Sequence, residues 1–170
     1  AWFWWGSKQC TPNEYKQLWR MTVNHLRDKK NVHNLLYCYS PSQVLNKEEY
    51  LERYPGDEYV DMLAYDCYVY GDDKEEALKK YQEAMRLNLK IITDYASQSG
   101  KIAAIGETGM ESIPVSTYFT QAVYPVISEY RISWVLFWRN AWEPDKPDHF
   151  YVPYEGHLSA DDFREFVGMG

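Results

Sequence analysis

The feature that most constrains the fold of this chain is a regular alternation of helical and strand patterns. Strict alternation of this kind predicts parallel strands that are joined by crossover helices. We find no internal repeat and no linker, so we expect one domain over residues 1–170. Helical patterns cover residues 11–30, 46–55, 72–99, 115–130 and a segment after Ser159, and strand patterns cover residues 34–40, 60–68, 101–109 and 132–140.

Local signals indicate where two of the helices begin and where a third is disturbed. Residues 11–14 (Thr-Pro-Asn-Glu) combine an N-cap threonine, a proline at the first helical position and a glutamate three residues after the cap. Ser159 with Asp162 predicts a cap for the last helix. Pro125 predicts a kink or an interruption within residues 115–130.

Charge and composition exclude several classes of protein. The net charge of −7 argues against a nucleic-acid partner, because such proteins usually present a basic patch. No stretch of the sequence is long and apolar enough to cross a bilayer. The three cysteines and four histidines show no metal-ligand spacing, so we expect neither a metal nor another cofactor.

The aromatic content is unusually high, at 17% of residues, with 7 Trp and 16 Tyr. Tyrosine and tryptophan combine a flat apolar face with a polar edge. Sugars have the matching character, since their C–H faces are apolar and hydroxyl groups surround the ring. Most of these aromatic residues are expected in the core, but tryptophans at strand ends point to a carbohydrate ligand.

Glu107 ends the short apolar run at residues 101–109. The run has the length and composition of a buried parallel strand, and a Thr-Gly turn follows the glutamate. In α/β barrels the carboxyl ends of the strands form the face at which catalysis takes place. Glu107 is therefore a candidate catalytic group. The alternative is a strand-end glutamate that caps a loop or pairs with an arginine.

Polar and aromatic residues recur at the ends of all four predicted strands. No glycine-rich phosphate loop follows any strand, which argues against a nucleotide-binding Rossmann fold. A barrel gathers strand ends around one mouth, but a barrel of this kind needs eight strands and typically ~250 residues. The chain is therefore predicted to be the C-terminal half of an α/β (β/α)8 barrel, from the end of strand four through helix eight. The strand-end residues are Ser40, Asp66, Tyr68, Glu107, Trp138 and Arg139.

Six segments together carry a more specific signal. They are Trp-Phe-Trp-Trp-Gly at 2–6, Tyr-Pro-Gly-Asp at 54–57, Asp-Cys-Tyr at 66–68, Gly-Glu-Thr-Gly at 106–109, Trp-Arg-Asn-Ala at 138–141, and 151–157. In their order and spacing these segments resemble glycoside hydrolase family 26, the β-mannanase family. The resemblance extends over essentially the whole chain.

The resemblance implies a (β/α)8 barrel that hydrolyses internal β-1,4-mannosidic bonds with retention of configuration. The family nucleophile ends strand seven and matches Glu107. The family acid/base lies in a His-Glu motif before the residues that match 2–6, and hence before Ala1. We therefore expect this chain to be inactive alone and to need a companion N-terminal barrel half. Its other partner would be β-mannan or a manno-oligosaccharide.

The resemblance also implies roles for five further residues. Asp66 and Tyr68 are two apart on one strand and should face the same way. The residue matching Tyr68 hydrogen-bonds near the nucleophile, and the one matching Asp66 lies at the same subsite. Trp138 matches the platform under the sugar in subsite −1, and Trp2 matches the platform on the +1 side. Arg139 either binds a more distal mannose or holds its loop.

Several alternatives remain open from the sequence. The chain could be a carbohydrate-binding fragment or an inactive homologue, and the same family contains β-glucanases and β-xylanases. A neighbouring Arg139, or donors such as Tyr68, would keep Glu107 ionised. Family habit suggests secretion or a periplasmic location. A half barrel would expose sheet edges and an apolar inner face, so we expect aggregation or dimerisation of the isolated chain.

Overall fold

Helices and strands alternate along the chain as predicted. The structure is a computed structural model, and it describes residues 3–169. The helices are α1 (Pro12–Asn24), α2 (Lys47–Glu52), α3 (Lys74–Ser99), α4 (Tyr124–Ile127) and α5 (Ala160–Gly168). The strands are β1 (Cys38–Tyr39), β2 (Met62–Leu63), β3 (Asp66–Tyr68), β4 (Ile102–Ala103), β5 (Ile105–Gly109) and β6 (Val135–Phe137). One π-helical segment covers His25–Lys29 and another covers Tyr118–Val123. A 3₁₀ turn covers Asp57–Tyr59.

The strands form two parallel ladders, β1-β2-β4 and β3-β5-β6. Main-chain hydrogen bonds link the two ladders. The N–H of Ala104 donates to the oxygen of Leu63 at 3.0 Å, and that of Gly106 donates to the oxygen of Tyr65 at 3.0 Å. The six strands therefore follow four parallel paths, which confirms the four strands predicted from the sequence.

The strand predicted for residues 60–68 is divided into β2 and β3. At the break, the main-chain oxygen of Tyr65 is shared by the N–H groups of Gly106 at 3.0 Å and Glu107 at 3.5 Å. The β5–β6 register also shifts between Ile105 and Thr108. Irregularities of this kind bend a strand and change where its side chains point. This one lies directly beside Glu107.

The sheet has one covered face and one open face. Along β6 the side chain of Phe137 packs towards the helices, against Phe119 and Phe163. The alternate residues face the other way and are partly exposed, with Trp134 at 39%, Leu136 at 42% and Trp138 at 38%. The helices thus cover the outer face, and the inner face of the expected barrel remains open.

The long helix α3 supplies much of the core on the covered face. Asp73 caps its N-terminus, where the carboxylate accepts from the N–H groups of Glu75 and Glu76. Gly100, in the left-handed conformation, caps its C-terminus. Tyr81, Met85, Leu89 and Ile92 are buried along one side. Within the described part of the chain, no helix combines the length and the apolar character that a membrane span requires.

Pro125 disturbs its helix as predicted, and neighbouring residues compensate. Proline lacks the N–H that would normally bond to the carbonyl four residues earlier, which here belongs to Gln121. The side-chain amide of Gln82 donates to that carbonyl at 3.1 Å. The preceding segment, Tyr118–Val123, adopts a π-helical turn before α4. The regular α-helix is therefore much shorter than residues 115–130.

The predicted cap of the last helix was wrong in detail. α5 begins after Ser159, but the Ser159 side chain makes no capping bond and instead contacts Nδ1 of His157 at 2.9 Å. Asp162 accepts from the main-chain N–H of Phe119 at 2.8 Å and also bonds to Thr120. Asp162 therefore joins α5 to the π-helical segment rather than capping its own helix.

Candidate active site

β3 and β5 lie side by side, and their register brings the predicted site residues together. Asp66 is the cross-strand partner of Glu107, and Tyr68 is the partner of Gly109. The hydroxyl of Tyr68 donates to Oε2 of Glu107 at 2.7 Å. A tyrosine and a glutamate that the sequence places on separate strands are thus in direct contact at the carboxyl end of the sheet.

Tyr68 is held as a hydrogen-bond donor. Burial raises its pKa, and so does its bond to the Glu107 carboxylate. The phenol therefore keeps its proton at any pH at which an enzyme works, and it donates its hydrogen bond to the Glu107 carboxylate. The ring of Tyr151 packs against the Tyr68 ring at an edge-to-face distance of 5.7 Å and restricts its motion.

Asp66 is a second carboxyl group beside Glu107. The pKa of Asp66 is raised to about 7, mainly by burial; a hydrogen bond from Ser40 lowers it, and the nearby Glu107 raises it. The Ser40 hydroxyl donates to Oδ1 of Asp66 at 2.6 Å. Near neutral pH, Asp66 therefore exists in both protonated and ionised forms, and it can donate or accept a hydrogen bond.

Two glycines make room for these side chains. A Cβ on Gly106 would clash with the Ser40 hydroxyl oxygen and would lie 2.9 Å from Oδ1 of Asp66. A Cβ on Gly109 would clash with the ring of Tyr151, and Gly109 has φ +153°. The Gly-Glu-Thr-Gly sequence thus keeps the strand that carries Glu107 free of side chains where neighbouring groups approach it.

Trp138 and Arg139 follow β6 and differ in their surroundings. The N–H of Trp138 donates to the main-chain oxygen of Thr108 at 3.0 Å, which joins the end of β6 to β5. Arg139 forms a double contact with Glu143, at 3.1 and 3.3 Å. Among the described residues Arg139 makes no ion pair with Glu107, whereas the Tyr68 hydroxyl contacts that carboxylate directly.

The loop after β6 has further anchors that the sequence analysis did not anticipate. The main-chain N–H of Glu143 and the Arg139 side chain lower the pKa of Glu143 to about 2. The side chain of Asn140 accepts from the N–H groups of Tyr151 and Val152, both at 3.0 Å. Nδ1 of His149 lies 2.5 Å from Oε1 of Glu111. The edge-to-face packing of Tyr151 on Tyr68 depends on this loop.

Trp2 lies outside the described residues, so its predicted role stays a prediction. The described neighbours of Trp2 form an aromatic cluster in which Phe3 stacks on Trp5 at 4.5 Å. Within residues 3–169, no group of three or more His, Cys, Asp or Glu side chains could hold a metal ion. The chemistry that the described site offers is that of a carboxylate, a protonatable carboxyl group, a phenol and aromatic faces.

Known proteins are similar to this chain in sequence and in fold. The model of the family "Glycosyl hydrolase family 26" matches residues 1–137. A mannan endo-1,4-β-mannosidase from Bifidobacterium adolescentis is 46% identical over 111 residues, which cover 64% of this chain and 11% of that protein. A mannan endo-1,4-β-mannosidase from Bacillus subtilis is 26% identical over 160 residues, covering 83% of this chain and 43% of that protein.

Solved structures agree over nearly the whole chain. A GH26 β-mannanase from Bacteroides ovatus has a TM-score of 0.90 at 43% identity, covering 98% of this chain and 46% of that one. A modular endo-β-1,4-mannanase from Cellulomonas fimi has a TM-score of 0.84 at 30% identity, covering 98% and 38%. The chain thus spans less than half of these relatives and has the fold of half a (β/α)8 barrel. By sequence and by fold, this chain belongs to glycosyl hydrolase family 26.

Proposed function

We propose that this chain forms the C-terminal half of the catalytic barrel of a retaining endo-β-1,4-mannanase, with Glu107 as its nucleophile. The observation that supports this most directly is the 2.7 Å contact between the Tyr68 hydroxyl and Oε2 of Glu107 at the carboxyl end of β5. A nucleophilic carboxylate must be directed at the reacting carbon, and the phenol donor holds one of its oxygens in place.

The proposed reaction takes two steps. A carboxylate oxygen of Glu107 attacks the anomeric carbon, and the bond to the leaving sugar oxygen breaks as a second carboxyl group protonates that oxygen. Water then attacks the resulting glycosyl ester and loses its proton to the same second group, which frees Glu107. The net configuration is retained. In retaining enzymes the two carboxyl groups are about 5–5.5 Å apart.

We assign the carboxyl group that acts as general acid and base to a companion N-terminal barrel half. The open inner face of β6 and an apolar groove of roughly 410 Å³ offer apolar surface against which such a half would pack. The groove lies between α1 and the segment that contains Trp4 and Trp5. The coverage of 46% of the Bacteroides ovatus enzyme leaves enough of that barrel unmatched to supply the companion half.

Substrate contacts follow from the surfaces that surround Glu107. Trp138 offers an aromatic face for the sugar in subsite −1, and Trp2 offers one on the +1 side. Asp66 can donate to or accept from a sugar hydroxyl near neutral pH. The guanidinium group of Arg139 is held by Glu143, and Arg139 thereby shapes the loop beside a more distal mannose. Mannan is the proposed polymer because it is the substrate in the names of the relatives.

We further propose that the complete enzyme acts outside the cytoplasm, in the medium or the periplasm. A mannan polymer is too large to pass through a bilayer, so an enzyme that cuts internal bonds has to meet it outside. This proposal rests on the chemistry of the substrate and not on any segment of this chain. Fractionation of the source organism, followed by detection of the protein, would test it.

The test of the proposed function compares complete barrels that differ only at Glu107. The chain is joined to its N-terminal half and assayed on mannan, β-glucan and xylan. We expect endo-cleavage of mannan and a loss of at least 10³-fold in kcat for Glu107→Gln. Glu129→Gln is the matched control, because Glu129 forms a partly exposed ion pair with Arg86. Full activity of the Glu107 variant, or binding of mannan without any cleavage by the unaltered barrel, would overturn the proposal.

A further inference from the structure

A chain of buried hydroxyl groups lies on the outer face of β5, directly behind Glu107. The Thr108 hydroxyl donates to the main-chain oxygen of Cys67 at 2.7 Å. The hydroxyl of Tyr81, from α3, lies 2.6 Å from the Thr108 hydroxyl. The hydroxyl of Tyr118 donates to that of Tyr81 at 3.1 Å. All three side chains are buried.

The hydrogen bonds in this chain run in one direction. Each hydroxyl group has a single proton to donate. Because the Thr108 proton is directed to Cys67, Tyr81 must donate to Thr108, and Tyr118 in turn donates to Tyr81. Burial raises the pKa of both tyrosines, so both keep their protons at working pH. A buried polar network in which every member is bonded holds one specific geometry.

Thr108 also connects to the third strand of the site. Its main-chain oxygen accepts from the N–H of Trp138 at 3.0 Å. Its side chain therefore contacts β3, its main chain contacts the end of β6, and its own strand is β5. On the opposite, inner face of the sheet, β3 presents Asp66 and Tyr68, and β5 presents Glu107. Trp138 lies on the same inner face at the end of β6. One buried residue thus links all the elements that carry the described site residues.

We propose that Thr108, Tyr81 and Tyr118 form a positioning network that fixes the spacing between Tyr68 and Glu107. Cys67 precedes Tyr68 and Thr108 follows Glu107, so the hydroxyl bond from Thr108 to Cys67 sets how closely β3 and β5 approach at the site. None of the three residues touches the sugar. The proposal rests on the proposed role of Glu107 as nucleophile.

The first test removes single hydroxyl groups in the complete barrel. Tyr81→Phe and Thr108→Val each break the chain, and a displacement of a reacting group by a fraction of an ångström has a large effect on rate. We expect kcat on mannan to fall at least about tenfold, with KM changed less than about twofold. Thr108→Ser keeps the hydroxyl and should restore most of the activity. The double variant should be no slower than the slower single variant, because both changes break the same chain.

The matched control removes a buried tyrosine hydroxyl far from the site. The Tyr54 hydroxyl donates to Oδ1 of Asp57 at 2.8 Å, and the pair precedes the amino end of β2. Tyr54→Phe should lower the melting temperature as Tyr81→Phe does while leaving kcat unchanged. If Tyr81→Phe and Thr108→Val also leave kcat unchanged, the network is purely structural and the proposal is overturned. Should either variant fail to fold, Tyr118→Phe removes only the outermost donor and should lower kcat by about threefold to tenfold.

A covalent probe separates this proposal from the one on which it rests. A 2-deoxy-2-fluoromannosyl fluoride forms an ester with the nucleophile as fluoride leaves. If the unaltered barrel is labelled at a residue other than Glu107, the proposed function fails. If it is labelled at Glu107, and Tyr81→Phe is labelled at least about tenfold more slowly, the network is supported. Labelling of Glu107 at an equal rate in both proteins overturns the network alone.

Discussion

The hydroxyl of Tyr68 lies 2.7 Å from Oε2 of Glu107, and both residues stand at the carboxyl end of neighbouring parallel strands. The contact fixes one oxygen of the proposed nucleophile and leaves the other free to attack. It forms within this chain, so it does not depend on the companion half. Because the contact joins two side chains of the site, substitution of Tyr68 tests the site directly.

Loss of the Tyr68 hydroxyl should slow the enzyme. A hydrogen bond to a charged group contributes about 1.5–3 kcal/mol, so Tyr68→Phe should lower kcat on mannan by roughly 10- to 100-fold. Tyr70→Phe is the control, because Tyr70 is 77% exposed and its ring packs beside that of Tyr68. Steady-state kinetics of the complete barrel measures both. Equal rates for Tyr68→Phe and the unaltered enzyme would remove the contact from the mechanism.

Asp66 should make stability depend on pH. Its pKa is about 7 in the folded protein, well above the ordinary value of about 3.9 in an unfolded chain. The folded state therefore binds more protons between these values. The stabilisation that this provides is full below about pH 4 and is lost as the pH rises through about 7.

Asp66→Asn removes this dependence, since an amide does not titrate. The melting temperature of the variant minus that of the unaltered barrel should rise between pH 4 and pH 8 and then level off. Ser40→Ala offers a second check, because the Ser40 bond lowers the pKa of Asp66 and its loss should move the transition to higher pH. Calorimetry across this pH range measures both effects. A constant difference between Asp66→Asn and the unaltered barrel would show that Asp66 is not protonated near neutrality.

Gly109 should not tolerate a side chain. Its φ of +153° is rarely adopted by other residues, and a Cβ would clash with the Tyr151 ring. Gly109→Ala should therefore destabilise the barrel by about 1–3 kcal/mol or more and disturb the packing on Tyr68. Gly156→Ala separates the two causes, because Gly156 has φ +83° but nothing within 4 Å of a Cβ. Similar melting temperatures for the two variants would mean that the Tyr151 contact is unimportant.

The isolated chain should not behave as a stable monomer. Trp134, Leu136 and Trp138 are each about 40% exposed on the open face, and within residues 3–169 the strands β1 and β6 each pair on one side only. We expect dimers or aggregates by size-exclusion chromatography with light scattering. Addition or covalent linkage of the N-terminal half should give a monodisperse barrel. A monomeric chain that melts cooperatively without that half would contradict this expectation.

The order of elements could be predicted because each signal is local. The N-cap at Thr11, the strand-length apolar run before Glu107 and the two-residue spacing of Asp66 and Tyr68 all depend on neighbours in sequence. Strand-end position then predicted which side chains meet. The family resemblance added the expected identity of the nucleophile.

Other features depend on register and long-range packing, which the sequence alone does not determine. The Ser40–Asp66 bond requires residue 40 to lie opposite β3, and the Tyr151–Tyr68 contact requires the fold of the last loop. Arg139 pairs with Glu143, and Asp162 accepts from the N–H of Phe119, although each side chain had several possible partners. Local propensity cannot decide between such partners, because the competing interactions have similar energies.

The most direct test of the central claim is to trap the covalent intermediate in the complete barrel with a 2-deoxy-2-fluoromannosyl fluoride and to map the labelled peptide by mass spectrometry. The account predicts one sugar per protein, bound as an ester to Glu107, together with loss of mannan cleavage. A sugar attached to any other residue would contradict it, and so would inactivation without a covalent adduct.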